Sequence, residues 1–269
     1  MFDYAKNYQH IKVEITKDGV ALVALNRPPH NLINPRLHTE MTSIPRDLNH
    51  DEDVRAVVFH AGEAKNFAAG GDSSLFDDNK DDPIKQILGG LTEAREFIWN
   101  MIELEKPAAA AVKGLATGMG CQFALLCDVV FAADDEKTRF SDGHANIGVA
   151  AGDGGSLIWP MLIGIARAKQ YLFTAEPIYA KEAERIGLIS RAVPPDQLLS
   201  IATEWATRMA KLPTLSVRWT KSACNQWLRM AAVNVFQYSW ALQTLSKEKP
   251  EFKERMAAMK AKTLPKLAK

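Results

Sequence analysis

Two residues in a glycine-rich stretch have the chemistry of a proton-transfer pair. His144 and Asp153 stand nine positions apart in "GHANIGVAAGDGGSLIWP". An imidazole titrates at about pH 6.5, so it can take and return protons in neutral water. A carboxylate on one ring nitrogen fixes the tautomer and stabilises the charged ring. Asp153 is the natural orienter, and Asp142, two residues before His144, is its rival. A histidine and an aspartate at this spacing in a loop are often unrelated, so the pairing depends on what surrounds them.

Two glycine-rich turns offer a second kind of chemistry, "FAAGGD" (67–72) and "GLATGMG" (114–120). Glycine lets backbone N–H groups approach a ligand closely and point at it. One N–H from each turn could together hold a developing oxyanion; plain turn geometry is the alternative. Gly118-x-Gly120-x-x-Ala124 also has the shape of a dinucleotide fingerprint. It sits mid-chain, however, and no acidic residue clearly ends a second strand about 20 residues on, so a Rossmann domain is set aside.

The elements that must position these residues follow from apolar patterning. Residues 10–26 form two alternating, β-branched runs around Lys17-Asp18-Gly19, a hairpin signal. A helix is expected over about 35–49 and another over 84–104. Strands are expected at 54–62, 106–114 and 128–134, and a buried helix at 121–127. Strands alternating with helices through about 195 predict an α/β fold with parallel strands. From 196 to 269 the pattern is nearly all helical and rich in Met, Trp and Phe. Residues 1–195 are therefore expected to form the core and 196–269 a helical oligomerisation region.

With 33 Lys+Arg against 32 Asp+Glu and no block of like charge, neither a nucleic acid nor a membrane surface is an expected partner. Cys121, Cys127 and Cys224 are odd in number and lack metal-type spacing, against a disulfide framework or a zinc site, and no metal is expected. The start "MFDYAKNYQHIKVEIT" lacks a basic-then-apolar pattern, and no apolar run is long enough for a bilayer. A cytoplasmic protein is expected.

Taken in order, these segments resemble the crotonase (enoyl-CoA hydratase/isomerase) superfamily. "ALNRPPHNLIN", "FAAGGD", "AAVKGLATGMGCQFALLCDVVFAAD", "FSDGHANIGVAAGDGGSLIWPMLIG", "YLFTAEPIYAKEAERIGLISRAVP" and "EKPEFKERMAAMKAKTLPK" each look like a family motif. The resemblance covers essentially the whole chain. It implies a crotonase-like α/β spiral of ββα turns with a C-terminal helical trimerisation region, assembled as a homotrimer or a dimer of trimers. It implies a small-molecule acyl-CoA substrate, with coenzyme A present only as part of that substrate and no other cofactor. The thioester carbonyl would be polarised by the amides of Gly71 and Met119. Arg27, Ala69, Gly70, Asp72, Gly118 and Trp159 would contact substrate or CoA, and Lys260, Lys262 and Lys266 are candidates for the CoA phosphates.

The family's hydratases carry two glutamates that activate water, and neither is here. Gln122 stands in one place and His144 in the other. Glutamine can hold a water but cannot take its proton. The expected catalytic set is therefore His144 as base, Asp153 as its orienter and Gln122 positioning water or substrate. The pair is similar to that of the superfamily's β-diketone (6-oxocamphor-type) hydrolases, which cleave a carbon–carbon bond by water attack. Hydration of an enoyl-CoA is the leading expectation, with retro-Claisen hydrolysis of a β-keto thioester or diketone as the alternative. Isomerisation and a non-catalytic acyl-CoA binder remain open. His60 is expected to be structural, His30 and His38 to lie at the surface, and Glu103 and Glu105 to be solvated.

Overall fold

Lys17-Asp18-Gly19 reverses the chain between two strands, as their alternation requires. After a short helix α1 (Tyr4–Asn7), β1 (Ile11–Ile15) pairs antiparallel with β2 (Val20–Leu25), and Ile11 faces Leu25. Gly19 turns at φ +78°, where an added Cβ would lie 2.9 Å from Arg55, so the position needs glycine. The computed structural model describes residues 2–72, 74 and 83–261, with the side chains of 83–89 and 260 outside the description. Lys262 and Lys266 lie beyond the described residues, as does the side chain of Lys260.

The remaining elements follow in order: α2 (Pro35–His50), β3 (Ala56–His60), α3 (Pro83–Ile102), β4 (Ala108–Val112), β5 (Leu115–Thr117), α4 (Met119–Leu125), β6 (Val129–Ala133) and β7 (Arg139–Ser141). Then come α5 (Gly155–Ile163), α6 (Ile165–Thr174), β8 (Ile178–Tyr179), α7 (Ala180–Arg185) and β9 (Arg191–Val193). Three helices close the chain: α8 (Leu198–Lys211), α9 (Thr214–Lys247) and α10 (Pro250–Lys260). The large sheet has the order β1-β2-β3-β4-β6-β9 and the small one β5-β7-β8. Every pairing in the large sheet after the first hairpin is parallel.

Each turn of the chain lays one strand in the large sheet, one extended segment in a second layer, and then a helix. β4, β5 and α4 form one such ββα turn, and β6, β7 and α5 the next. Earlier turns place only single bridges in the second layer, Ala68 beside Ala116 and Ile33 beside Gly71, both parallel. This stacking brings both glycine-rich turns and the His144 segment to one end of the second layer.

Burial on both faces explains the near-continuous apolar runs of the central strands. Val57 and Phe59 of β3 join the core under α2, α3 and α4, while Ala56 and Val58 face the other way. That second face is covered by α8 through Leu198, Ala202, Ala206 and Ala210. The helical region expected from 196 thus begins with a helix that completes the core. Among the described residues no helix is long and apolar enough to cross a membrane.

Candidate active site

The first glycine turn is fixed by backbone pairing on both sides. Ala68 donates to Leu115 at 3.0 Å and accepts from Thr117 at 3.1 Å. Ile33 donates to Gly70 at 2.9 Å and accepts from Asp72 at 2.8 Å. Those two bonds occupy the edge next to Ile33, and alternation along an extended chain turns the Gly71 amide to the opposite side. In the second turn, Gly118 has φ +53° and ψ −131° and donates to Ser141 at 3.1 Å. Met119 then opens α4, where a first-turn amide has no carbonyl four residues back within the helix. Among the described residues neither the Gly71 nor the Met119 amide donates a hydrogen bond. Both residues line a cavity of about 480 Å³. Gly120 holds the turns together: a Cβ there would lie 2.3 Å from the Ala68 Cβ.

His144 opens a short 3-10 turn, His144–Ile147, directly after β7 and Asp142. Asp142 Oδ1 caps the turn, accepting the His144 backbone N–H at 3.1 Å and lying 2.5 Å from Nδ1 of the same ring. Gly148, at φ +72°, then reverses the chain and carries Asp153 back to the ring. Asp153 Oδ2 lies 3.2 Å from His144 Nε2. The ring therefore sits between two carboxylates. Burial disfavours charge on it, but Asp142 and Asp153 outweigh that effect and hold its pKa well above the ordinary 6.5. A carboxylate oxygen at hydrogen-bond distance from each ring nitrogen favours the doubly protonated ring. Asp153 Oδ1 is buried with no partner, and both His144 and Asp153 line the cavity.

Asp142 is anchored from behind. Its Oδ2 accepts from Gln122 Nε2 at 2.9 Å, and Gln122 Oε1 accepts from Trp159 Nε1 at 3.2 Å. Asp142, His144 and Asp153 put one ligand atom each within 4.8 Å of one another. A metal ion there would need a ring nitrogen free of its proton, yet both nitrogens face carboxylate oxygens at hydrogen-bond distance. The cluster is built to share protons. Lys247 also lines the cavity, its pKa lowered by burial and partly restored by Asp153.

A family profile for enoyl-CoA hydratase/isomerase matches residues 15–267. The chain belongs to that family. A probable enoyl-CoA hydratase of Mycobacterium bovis is 37% identical over 227 residues, covering 81% of this chain and 82% of the relative. An enoyl-CoA hydratase/isomerase structure from Mycobacterium paratuberculosis superposes with a TM-score of 0.84 at 29% identity, over 92% of this chain and 97% of the other. A β-diketone hydrolase from the cyanobacterium Anabaena, bound to (S)-3-oxocyclohexyl acetic acid, superposes with a TM-score of 0.83 at 25% identity. It covers 95% of this chain and 99% of its own. The chain is thus an enzyme of the hydratase/isomerase family on the crotonase fold.

Several expected site residues occupy other places in this crotonase. Gln122 is fully buried and off the cavity wall, both ends of its amide engaged by Asp142 and Trp159. It holds Asp142 rather than a molecule in the cavity. Trp159 is equally buried and likewise off the wall. Arg27 and Asp72 pair with each other at 2.9 Å, and Arg27 also donates to Leu32 O, which braces the first turn. Ala69, Gly70 and Gly118 do line the cavity. The orienting position on Nδ1 belongs to Asp142, the rival, because a side chain two residues upstream caps the turn and meets the ring at once. Asp153 takes Nε2 instead. His38, expected at the surface, is buried and lines the cavity, because α2 turns it inward onto Phe97. Glu103 and Glu105 pair with Arg229 and Arg218 of α9. His60 accepts from the Gly62 amide, and burial beside Lys113 lowers its pKa to about 4.

Proposed function

We propose that this enzyme adds water to the C2–C3 double bond of a 2-enoyl-CoA thioester, using the His144–Asp153 pair in place of two glutamates. The observation that carries the reading is an imidazolium–carboxylate pair opening onto a cavity also walled by the Gly71 and Met119 amides. Those amides would take the thioester oxygen. Because both ring nitrogens of His144 face carboxylate oxygens, the proton acceptor in this reading is Asp153. The roles expected from the sequence are thereby exchanged.

In this reading a water at Asp153 gives its proton to that carboxylate as its oxygen bonds to C3. The π electrons move through C2 into the thioester carbonyl, forming an enolate against the two amides. C2 then takes a proton from the His144–Asp153 pair, which ends with the protons it began with. The enzyme needs no cofactor beyond the coenzyme A carried by the substrate.

The β-diketone hydrolase among the structural neighbours favours a second reading. There the activated water attacks a keto carbon, the adjoining carbon–carbon bond breaks, and the electron pair leaves on a carbon protonated by the same pair. Mass-spectrometric assays with a 2-enoyl-CoA and with a cyclic β-diketone separate the two. Unchanged rates on both substrates in His144→Ala would refute both.

A homotrimer or dimer of trimers fits the long helix α9. Trp219 and Trp227 are each 67% exposed, with Leu215, Met230, Val233 and Leu245 also open on that helix. Exposed apolar surface of this extent supports an association face there. Three unpaired cysteines fit a reducing, cytoplasmic location.

A further inference from the structure

A second polar cluster lines the same cavity, on α2 and α3, and the reaction above leaves it without a task. His38 Nδ1 lies 2.9 Å from Glu93 Oε1, and Thr39 Oγ1 donates to the same oxygen at 2.8 Å. The His38 ring stacks on Phe97 with centroids 5.8 Å apart and planes 8° from parallel. His38, Thr39, Glu93 and Phe97 all line the cavity. The His38 hydrogen bond holds the Glu93 carboxyl below its usual range, against the effect of burial. Nδ1 faces the Glu93 oxygen at hydrogen-bond distance, so Nε2 is the ring's remaining polar atom. Among the described residues nothing hydrogen-bonds that nitrogen. Two contacts therefore fix the ring, one in its plane and one on its face, and leave one polar atom open.

The neighbouring wall is apolar, with Ala94, Ile147, Val149, Trp240 and Met259. A plain hydrocarbon chain would be served by those residues alone. Burying an imidazole beside it costs desolvation, which a polar ligand group would offset. We propose that His38 Nε2 hydrogen-bonds a hydroxyl on the acyl group, so that the enzyme prefers an oxygenated acyl chain over a plain hydrocarbon one. This specifies the substrate class of the acyl-thioester reading and rests on it.

The test uses saturated esters, which bind but have no double bond to hydrate. Calorimetric Kd values are compared for hexanoyl-CoA and its 4-, 5- and 6-hydroxy derivatives. Wild type is expected to bind at least one hydroxy ester about tenfold more tightly than hexanoyl-CoA, the gain of one satisfied buried hydrogen bond. His38→Phe keeps a ring against Phe97 and is expected to abolish that preference, read as the ratio of hydroxy-ester to hexanoyl-CoA Kd within the variant. His38→Leu serves the same purpose if the phenylalanine variant does not fold. Equal binding of every ester by wild type overturns the proposal. A preference that survives in His38→Phe shows that His38 only ties α2 to α3, and overturns it too. If no ester binds, the acyl-thioester reading itself falls and takes the subsite with it.

Discussion

Adding one methyl group at Gly120 tests whether the two glycine turns work as a unit. The added Cβ would lie 2.3 Å from the Ala68 Cβ and 3.0 Å from the Ala68 carbonyl oxygen. Carbon atoms rest at about 3.5–4.0 Å, so the turns must separate by roughly 1.2 Å. Ala68 is held by hydrogen bonds to Leu115 and Thr117 and cannot yield without breaking them. The first turn of α4 must move instead, and Met119 moves with it. Oxyanion donors act at about 2.7–3.1 Å, so a shift of about 1 Å removes one of two donors and lowers kcat by about 10²–10³. KM should change little, because the donor acts chiefly on the enolate. Overpacking adds about 1–3 kcal/mol of destabilisation, visible as a lower Tm. The assay follows loss of the conjugated-thioester absorbance, with circular dichroism to establish that the variant is folded. A folded Gly120→Ala enzyme with wild-type kcat would refute the shared-donor geometry.

The charged state of His144 sets a pH dependence of stability. Its folded pKa is raised, so its stabilisation is full below the unfolded value of about 6.5 and is lost as pH rises through the folded value. Wild-type Tm should therefore fall as pH is raised above neutrality, and His144→Gln should remove that part of the slope; a wild-type slope retained in the variant would contradict it. Asp153→Asn takes away the proton acceptor and should lower kcat by about 10²–10⁴, with CoA-ester Kd unchanged by calorimetry. Trp159→Phe leaves Gln122 Oε1 buried without its donor and should cost about 1–3 kcal/mol in chemical denaturation. Trp227→Asp with Val233→Asp places charge on the open face of α9 and should yield monomers by light scattering, where an unchanged mass would place the interface elsewhere.

The fold was readable because its signals are local. The hairpin turn at Lys17-Asp18-Gly19, the β-branched and alanine-rich strands, and the proline that opens α2 each act within a few residues. The proton-transfer site was readable only in part, because its partners are chosen by the turn that carries them. His144 and Asp153 meet because a 3-10 turn and Gly148 bend the intervening segment back. That Asp142 takes Nδ1 depends on how β7 delivers it into the turn. The Asp-x-His spacing was the available signal, an aspartate capping its own turn two residues on. His38 gave no comparable signal. A lone histidine near a proline loop looks exposed until the position of α3 behind it is known, and Glu93 lies 55 residues away in the chain.

The hydrogen-bond order explains why position 122 carries an amide. Trp159 donates to Gln122, Gln122 donates to Asp142, and Asp142 meets His144, which faces Asp153. A glutamate at 122, as the resemblance expects of a hydratase, would set its carboxylate against the buried carboxylate of Asp142. Asp142 would then repel the very group that now anchors it. Glutamine, donating at one end and accepting at the other, is the side chain of that shape that serves both neighbours. An amide at 122 and the carboxylate of Asp142 are therefore matched to each other. The first turn of α4 carries the Met119 amide, while His144 and Asp153 stand in the loop after β7. The Gly71 and Met119 amides and the Asp142–His144–Asp153 cluster thus come from separate turns of the spiral, and Gln122 ties α4 to Asp142.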